Sequence, residues 1–138
     1  MWPAYLTHAA IREFISSALA EDIGEGDHSS LGAVPSNKIS KARLLIKDDG
    51  IIAGIELAEK IFREVNPALR VTLFKHDGEV VKKGEIAFSV EGPAQSILSA
   101  ERLVLNCMQR MSGIATYTSH LCKLIDGTHA QLMDTRKT

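Results

Sequence analysis

A helical stretch that begins near residue 96 carries polar side chains at regular spacing. Arg102, Asn106, Gln109, Gly113 and Thr116 step by four, three, four and three residues, so they share one face of a helix. Solvated helix faces are usually filled with Lys and Glu, which are good helix formers. Amide, hydroxyl and glycine positions beside one Arg instead suit hydrogen bonding in place and close approach. We call this set the polar stripe; the sequence leaves open whether it is a solvated face or the wall of an interface or pocket.

The last seven residues, LMDTRKT, place an acid, a threonine and two bases after an apolar pair. In α/β folds, ligands collect at the carboxyl ends of strands. The guanidinium of Arg136 matches a carboxylate or phosphate, Lys137 adds a point charge, and Asp134 is placed to orient either one. Composition alone favours a disordered basic terminus, whereas a strand over residues 130–133 favours a substrate-binding corner.

Other signals of chemistry are weak. The acidic segment EDIGEGDHSS, residues 21–30, lacks the spacing of a calcium loop, and a turn with Asp27 capping the next segment explains it better. No nucleophile motif G-x-S-x-G, Walker loop or G-x-G-x-x-G occurs in the sequence. Cys107 and Cys122 are about 20 Å apart if the intervening stretch is helical, too far for a disulfide. We expect buried thiols in a reducing compartment.

Composition sets the class of protein. The chain has 138 residues, 45% of them hydrophobic, which is enough for one ordinary core. Its 16 Lys and Arg nearly balance 17 Asp and Glu, so no global field favours nucleic acid or an acidic membrane. No apolar run approaches the roughly 20 residues that span a bilayer, and the first residues lack the pattern of a signal peptide. We expect a soluble cytoplasmic protein with neither a nucleic-acid nor a membrane partner.

Hydrophobic periodicity predicts helices over residues 7–20 and 55–65. Between and after them we expect a hairpin of residues 41–47 with GIIAG, turning at Asp48-Asp49-Gly50, and two ladders formed by RVTLFK, VV and IAFSVEG. The segment DGEVVKKGEIAFSVEG also resembles half of a lipoyl-type barrel-sandwich, although no second half with a carrier lysine follows. A non-catalytic lipoyl-like binding module is therefore an alternative.

A helical period from residue 96 to about residue 126 carries an apolar seam opposite in phase to the polar stripe, formed by Val104, Met108, Met111, Ala115, Thr118, Cys122 and Ile125. As one rod this helix would be on the order of 45 Å long, which is long for a compact domain of this size. The sequence predicts either two helices that break at Ser112-Gly113 or one helix that reaches beyond its own domain. The buried strand expected at 130–133 has no partner after it, so we predict an α+β domain followed by the beginning of a severed α/β domain.

Three segments together resemble the quinolinate phosphoribosyltransferase family: EDIGEGDHSS, AERLVLNCMQRMSGIAT and the DTRKT about twenty residues later. The resemblance implies an α/β-hammerhead-like N-terminal domain with linking helices and the first strand of an incomplete α/β barrel. It places the N-terminal domain and the first linking helix at residues 1–111, and the second linking helix and the start of the barrel at 112–138. His28 and Ser29 depart mildly from the family pattern, which commonly has Val and Thr there.

The resemblance also implies an activity and a site. Family members convert quinolinate and phosphoribosyl pyrophosphate, with Mg²⁺, into nicotinate mononucleotide, pyrophosphate and CO2 in NAD biosynthesis. Arg102 matches an arginine donated in trans to the quinolinate site of the other subunit of a homodimer, and Thr135, Arg136 and Lys137 match the substrate-binding strand end. The family's later barrel lysine and magnesium ligands are not in this chain, so we expect these 138 residues alone to be inactive. Within the fold, a molybdenum-transport-associated paralogue or a nicotinate-using relative is the alternative.

Overall fold

A computed structural model describes residues 6–24, 26 and 32–134 of the chain. Its described elements follow the chain in this order: α1 (His8–Ile23), β1 (Ile39–Leu45), β2 (Gly50–Ile51), α2 (Ile55–Val65), β3 (Arg70–Leu73), β4 (Val80–Val81), β5 (Ile86–Pro93) and α3 (Ala94–Leu124). Helices and antiparallel strands are mixed, which confirms the predicted α+β class.

The two predicted amphipathic helices are confirmed. Helix α1 begins where the Thr7 hydroxyl accepts a hydrogen bond from the Ala10 amide at 3.1 Å, and it buries Ile11 and Ile15. Helix α2 is capped from a distant turn, because the Asp77 carboxylate accepts from the first two amides of the helix, at 2.7 and 3.2 Å. That carboxylate also complements the positive end of the helix dipole.

The strands expected between residues 41 and 92 exist, but their predicted pairing is wrong. Strand β5 lies between β1 and β3 in an antiparallel sheet, and β2 pairs with β4. The residue partners run from Ile39 opposite Pro93 to Ile51 opposite Val80, with one irregularity near Leu45. Residues 39–51 are thus successive parts of one bent strand path whose partner is 80–93. The turn expected at 48–50 is a bend in that path, so β1 and β2 do not form a hairpin.

The core lies between this sheet, α2 and the first half of α3. Phe62 of α2 meets Phe88 of β5 edge to face, with ring centroids 5.8 Å apart. Helix α3 contributes buried residues only up to Met108. The exposed side chains beyond it include large apolar ones: Ile114 at 60%, Tyr117 at 65% and Leu124 at 66% exposure. The predicted apolar seam is buried at Val104 and Met108, half-buried at Met111 and Ala115, and exposed at Thr118 and Cys122.

Helix α3 is continuous for 31 residues, so the predicted break at Ser112-Gly113 is wrong and the single-helix alternative is confirmed. One isolated Gly costs a helix only about 1 kcal/mol, which the surrounding turns offset. Ser112 does not disturb the helix either, because its hydroxyl is directed to a neighbouring strand and not to its own backbone.

Two hydroxyls of α3 complete the hydrogen bonding of the strand path at residues 51–53. The Ile51 amide donates to the Thr116 hydroxyl at 2.9 Å, and the Ala53 amide donates to the Ser112 hydroxyl at 2.9 Å. The Thr116 hydroxyl also donates to the Ile51 carbonyl at 3.4 Å, and the Ser112 hydroxyl donates to the Ala53 carbonyl at 3.1 Å. On the opposite edge, the amide and the carbonyl of Ile52 form hydrogen bonds with the turn at residues 78–79. We call the pair Ser112 and Thr116 the hydroxyl clasp.

Close approach at the clasp requires glycine on the strand. A Cβ atom added to Gly50 would lie 2.5 Å from the Thr116 hydroxyl oxygen. Gly54 has a φ of 98°, and a Cβ there would lie 3.3 Å from the Cα of Met108. Both ends of the GIIAG segment are therefore glycine because α3 lies against the backbone.

The prediction of a strand at residues 130–133 is wrong for the described structure. Residues 130–134 have no regular secondary structure, and Leu132 and Met133 are 44% and 80% exposed. A strand is stabilised by hydrogen bonds to a neighbour, and no described segment pairs with these residues. Separately, no helix within the described residues is long and apolar enough to cross a membrane.

Both cysteines are free, as predicted, but only Cys107 is partly buried; Cys122 is exposed, so the expectation of a second buried thiol is wrong. Burial raises the pKa of the Cys107 thiol. At neutral pH its reactive thiolate is therefore scarcer than that of an ordinary cysteine.

We expect Thr116→Val to destabilise the protein by about 1–2 kcal/mol, because the amide and carbonyl of Ile51 lose their hydrogen-bond partner. Urea unfolding measures the loss, and hydrogen exchange should show faster exchange at the Ile51 amide. Thr118→Val is the matched control, since Thr118 is an exposed threonine of the same helix. Equal effects of the two substitutions, with unchanged exchange at Ile51, would contradict the clasp.

A thiol reagent such as Ellman's reagent should modify Cys122 about ten times faster than Cys107 at pH 7, because Cys122 is exposed and burial lowers the thiolate fraction of Cys107. The rates are assigned with the single variants Cys107→Ser and Cys122→Ser. Comparable rates for the two thiols would show that Cys107 is more accessible than the structure indicates.

Candidate functional site

Arg102 is the one predicted site residue that lies in the described structure. It sits on α3, its side chain is 74% exposed, and its Nη1 lies 3.6 Å from Oδ1 of Asp22. Thr135, Arg136 and Lys137 lie outside the described residues, so the substrate-binding strand end stays a prediction.

Asp22 was missed by the sequence reasoning, which interpreted residues 21–30 as a turn capped by Asp27. Asp27 lies outside the described residues, whereas Asp22 belongs to the last turn of α1. Its side chain is 24% exposed, so it is much more buried than its arginine partner. A signal was available, because an acid at the carboxyl end of a helix is unfavourable without a nearby cation.

The polar stripe divides into two parts in the structure. Arg102, Asn106, Gln109 and Gly113 are exposed, whereas Thr116 is half-buried and belongs to the hydroxyl clasp. The spacing of the stripe continues with the exposed His120 and Lys123, and the exposed Tyr117 and Leu124 lie beside them. Large exposed apolar side chains next to the polar ones favour an interface over a purely solvated face.

Part of the stripe also lines a groove. A groove of about 1000 Å³ lies between α3 and residues 43–52, and Gln109, Gly113 and Thr116 are among its lining residues. The pocket-wall alternative is confirmed for these three. Arg102 lies outside the groove.

The charges around the groove are mixed. Arg43 and Lys47 lie on its strand side, together with Asp48 and Asp49, and Glu101 lines it from α3. Cations and anions are interleaved, so the groove creates no field that would select a dianion. Arg102, on a different part of α3, therefore remains the better candidate for binding an anionic substrate.

A bound metal ion needs several donor side chains close together. Within residues 6–24, 26 and 32–134, no group of three or more His, Cys, Asp and Glu side chains is arranged to hold a metal ion. Mg²⁺ prefers several oxygen ligands in octahedral geometry. No residue of the described part of the chain is therefore assigned to the ion.

Comparison with known proteins gives a consistent result. The family model described as "Quinolinate phosphoribosyl transferase, N-terminal domain" matches residues 23–112. A rice protein named nicotinate-nucleotide pyrophosphorylase [carboxylating], chloroplastic, is 46% identical over 99% of this chain, which spans 36% of the rice protein. Quinolinate phosphoribosyltransferase [decarboxylating] 2b, mitochondrial, of Nicotiana tabacum is 47% identical over 99% of the chain and 38% of that protein. A probable nicotinate-nucleotide pyrophosphorylase of Bacillus subtilis is 35% identical over 96% of the chain and 46% of that protein.

Solved structures show the same relation. NadC from Streptococcus pyogenes superimposes with a TM-score of 0.91 and 27% identity, covering 96% of this chain and 47% of that one. The nicotinate-nucleotide pyrophosphorylase of Francisella tularensis gives a TM-score of 0.89 at 30% identity, over 96% and 48% of the two chains. This chain thus spans between about a third and a half of the relatives it matches. It belongs to the quinolinate phosphoribosyl transferase family and carries the N-terminal domain of that family.

Proposed function

We propose that this chain is the N-terminal part of a quinolinate phosphoribosyltransferase. The complete enzyme would convert quinolinate and phosphoribosyl pyrophosphate into nicotinate mononucleotide, pyrophosphate and CO2 in NAD biosynthesis. The observation that carries the proposal is Arg102, a guanidinium exposed on the domain surface within the segment ERLVLN that matches the family. The names of the plant and bacterial relatives support the reaction.

The chemistry of the substrate explains why an arginine is needed. Quinolinate carries two carboxylates, and a guanidinium binds a carboxylate through two parallel N–H···O hydrogen bonds. One cation does not neutralise a dianion, so further fixed cations are required. Arg136 and Lys137, with Thr135 beside them, are our proposed contributors from the end of this chain.

Exposure of Arg102 supports a site shared between subunits. An ion pair formed by a side chain that is 74% exposed gains little in water, because the solvent screens it. The same pair becomes much stronger once a second surface excludes water from it. We infer that Arg102 is donated in trans to the quinolinate site of the other subunit of a homodimer. The exposed apolar residues of α3 support an interface there.

The reaction step itself belongs to the rest of the enzyme. Displacement at the anomeric carbon of the ribose develops oxocarbenium character, so positioning and electrostatic stabilisation carry most of the catalysis. Mg²⁺, which we propose as the partner of the diphosphate, would be bound by residues beyond those described. Cytoplasmic location stays a prediction, and the names of the rice and tobacco relatives indicate chloroplasts and mitochondria for those proteins.

We expect the 138-residue chain alone to release no nicotinate mononucleotide from quinolinate and phosphoribosyl pyrophosphate, measured by chromatography of the products. A chimera in which this chain replaces the corresponding part of the Bacillus subtilis relative should restore turnover. Turnover by the chain alone would contradict the proposed division of the site. A folded chimera without turnover would show that this N-terminal part does not complete a quinolinate site.

In the active chimera, Arg102→Ala should raise the quinolinate KM by about ten- to 100-fold or abolish turnover, because charge-assisted hydrogen bonds to the substrate are lost. Arg110→Ala is the matched control, since Arg110 is another exposed arginine of α3. Circular dichroism checks that both variants are folded. Unchanged kinetics for Arg102→Ala would remove Arg102 from the site.

A further inference from the structure

We propose that Asp22 is a positioning residue for Arg102, and that it holds the guanidinium so that its free N–H groups face an anionic substrate. The inference rests on the proposed function, since it concerns the same arginine. It assigns a role to the acidic segment at residues 21–30, to which neither the fold nor the proposed reaction has given one.

The contact joins a partly shielded carboxylate to an exposed guanidinium. Oδ1 of Asp22 lies 3.6 Å from Nη1 of Arg102, and the two side chains are 24% and 74% exposed. The Asp22 carboxylate is the more shielded of the two groups, whereas the guanidinium extends into solvent. Among the ion pairs of the described residues, this is the one that connects two helices. Asp22 is therefore the anchor and Arg102 the side chain that is anchored.

The electrostatics of α1 strengthen the anchor. Asp22 lies in the last turn of this helix, where the dipole already places partial negative charge. That turn contains no basic residue of its own. A cation is therefore favoured beside it, and α3 supplies one through Arg102. The helix end and the carboxylate attract the same guanidinium.

The geometry leaves the arginine able to bind substrate. A guanidinium has five N–H donors, and Asp22 faces Nη1. Nη2 and Nε remain available as a pair for a bidentate contact with a carboxylate. Without the anchor, a long exposed side chain samples many rotamers, and ordering it on substrate binding costs conformational entropy. Loss of Asp22 should therefore weaken substrate binding more than it slows the chemical step.

Electrostatic repulsion between Asp22 and the substrate would change KM in the opposite direction, so the two effects can be distinguished by experiment. The negative charge of Asp22 would repel a dianionic substrate, so removing that charge would tighten binding if repulsion dominated. If the pair merely joined α1 to α3, its loss would lower thermal stability and leave KM unchanged below the melting temperature. Positioning alone predicts a higher KM that depends on Arg102.

The test compares four variants of the active chimera: Asp22→Asn, Arg102→Ala, the double variant, and Glu21→Gln as the matched control. Glu21 is the neighbouring exposed acid, and it forms no ion pair within the described part of the chain. We expect Asp22→Asn to raise the quinolinate KM about two- to fivefold, the range for an exposed ion pair, with kcat nearly unchanged. Glu21→Gln should have no effect, and Asp22→Asn should add nothing once Arg102 is Ala.

A second measurement uses the active chimera, in which the second subunit would exclude water from the ion pair. Nuclear magnetic resonance of the Arg102 Nε–H group should show a restrained side chain that becomes less ordered in Asp22→Asn and is unaffected in Glu21→Gln. An unchanged Arg102 signal would show that the contact does not order the guanidinium, and it would overturn the inference whatever the kinetics.

The outcomes separate the two proposals. If Arg102→Ala raises KM but Asp22→Asn leaves it unchanged or lowers it, the positioning role is wrong and the proposed function stands. The positioning role is also wrong if Asp22→Asn has its full effect in the Arg102→Ala background. If Arg102→Ala has no effect, or if the chimera has no turnover, the proposed role of Arg102 fails and the inference fails with it.

Discussion

The backbone of residues 51–53 needs hydrogen-bond partners on both of its edges, and the position of the long helix depends on how that need is met. The turn at 78–79 bonds one edge through Ile52. On the other edge, where a sheet would have another strand, α3 supplies the hydroxyls of Ser112 and Thr116. The rise of two residues along a strand and of four along a helix are both about 6 to 7 Å, so two hydroxyls one turn apart match alternate residues of the strand. The helix therefore acts as the missing neighbour.

This arrangement fixes the helix at two places. Its N-terminal half is held by burial against α2 and β5, and its middle is held by the hydroxyl clasp. Arg102 lies in the first of these regions, so its backbone position is well determined although its side chain is exposed. Beyond the clasp, α3 carries large apolar side chains that nothing described covers. A continuous helix that exposes polar and large apolar side chains together is suited to hold one arginine in place while contacting a second surface.

Predictions from local sequence patterns were correct where the structure of a segment depends on that segment alone. The stripe in residues 55–65 specifies α2 because its apolar positions share one face, and a helix makes its own hydrogen bonds. Strand pairing could not be read in the same way, because a strand's partner lies elsewhere in the chain. The segment Asp48-Asp49-Gly50 has the residues of a tight turn, yet the carboxylate of Asp49 accepts from the Lys83 amide, and the strand path continues past it. Ser112-Gly113 likewise has the residues of a helix break, but no contact there requires one.

The sequence by itself determined the first two helices, the positions of the five observed strands, the α+β class and the family resemblance, because periodicity and short motifs are properties of neighbouring residues. Only the tertiary structure decided that β1 pairs with β5, that α3 is one helix and that Asp22 meets Arg102. Each of these depends on contacts between residues far apart in the chain, and many sequences with the same local pattern could make them differently. The polar stripe illustrates both contributions. Its spacing in the sequence predicted one helix face, and tertiary packing made Thr116 part of the hydroxyl clasp and left Arg102 exposed beside Asp22.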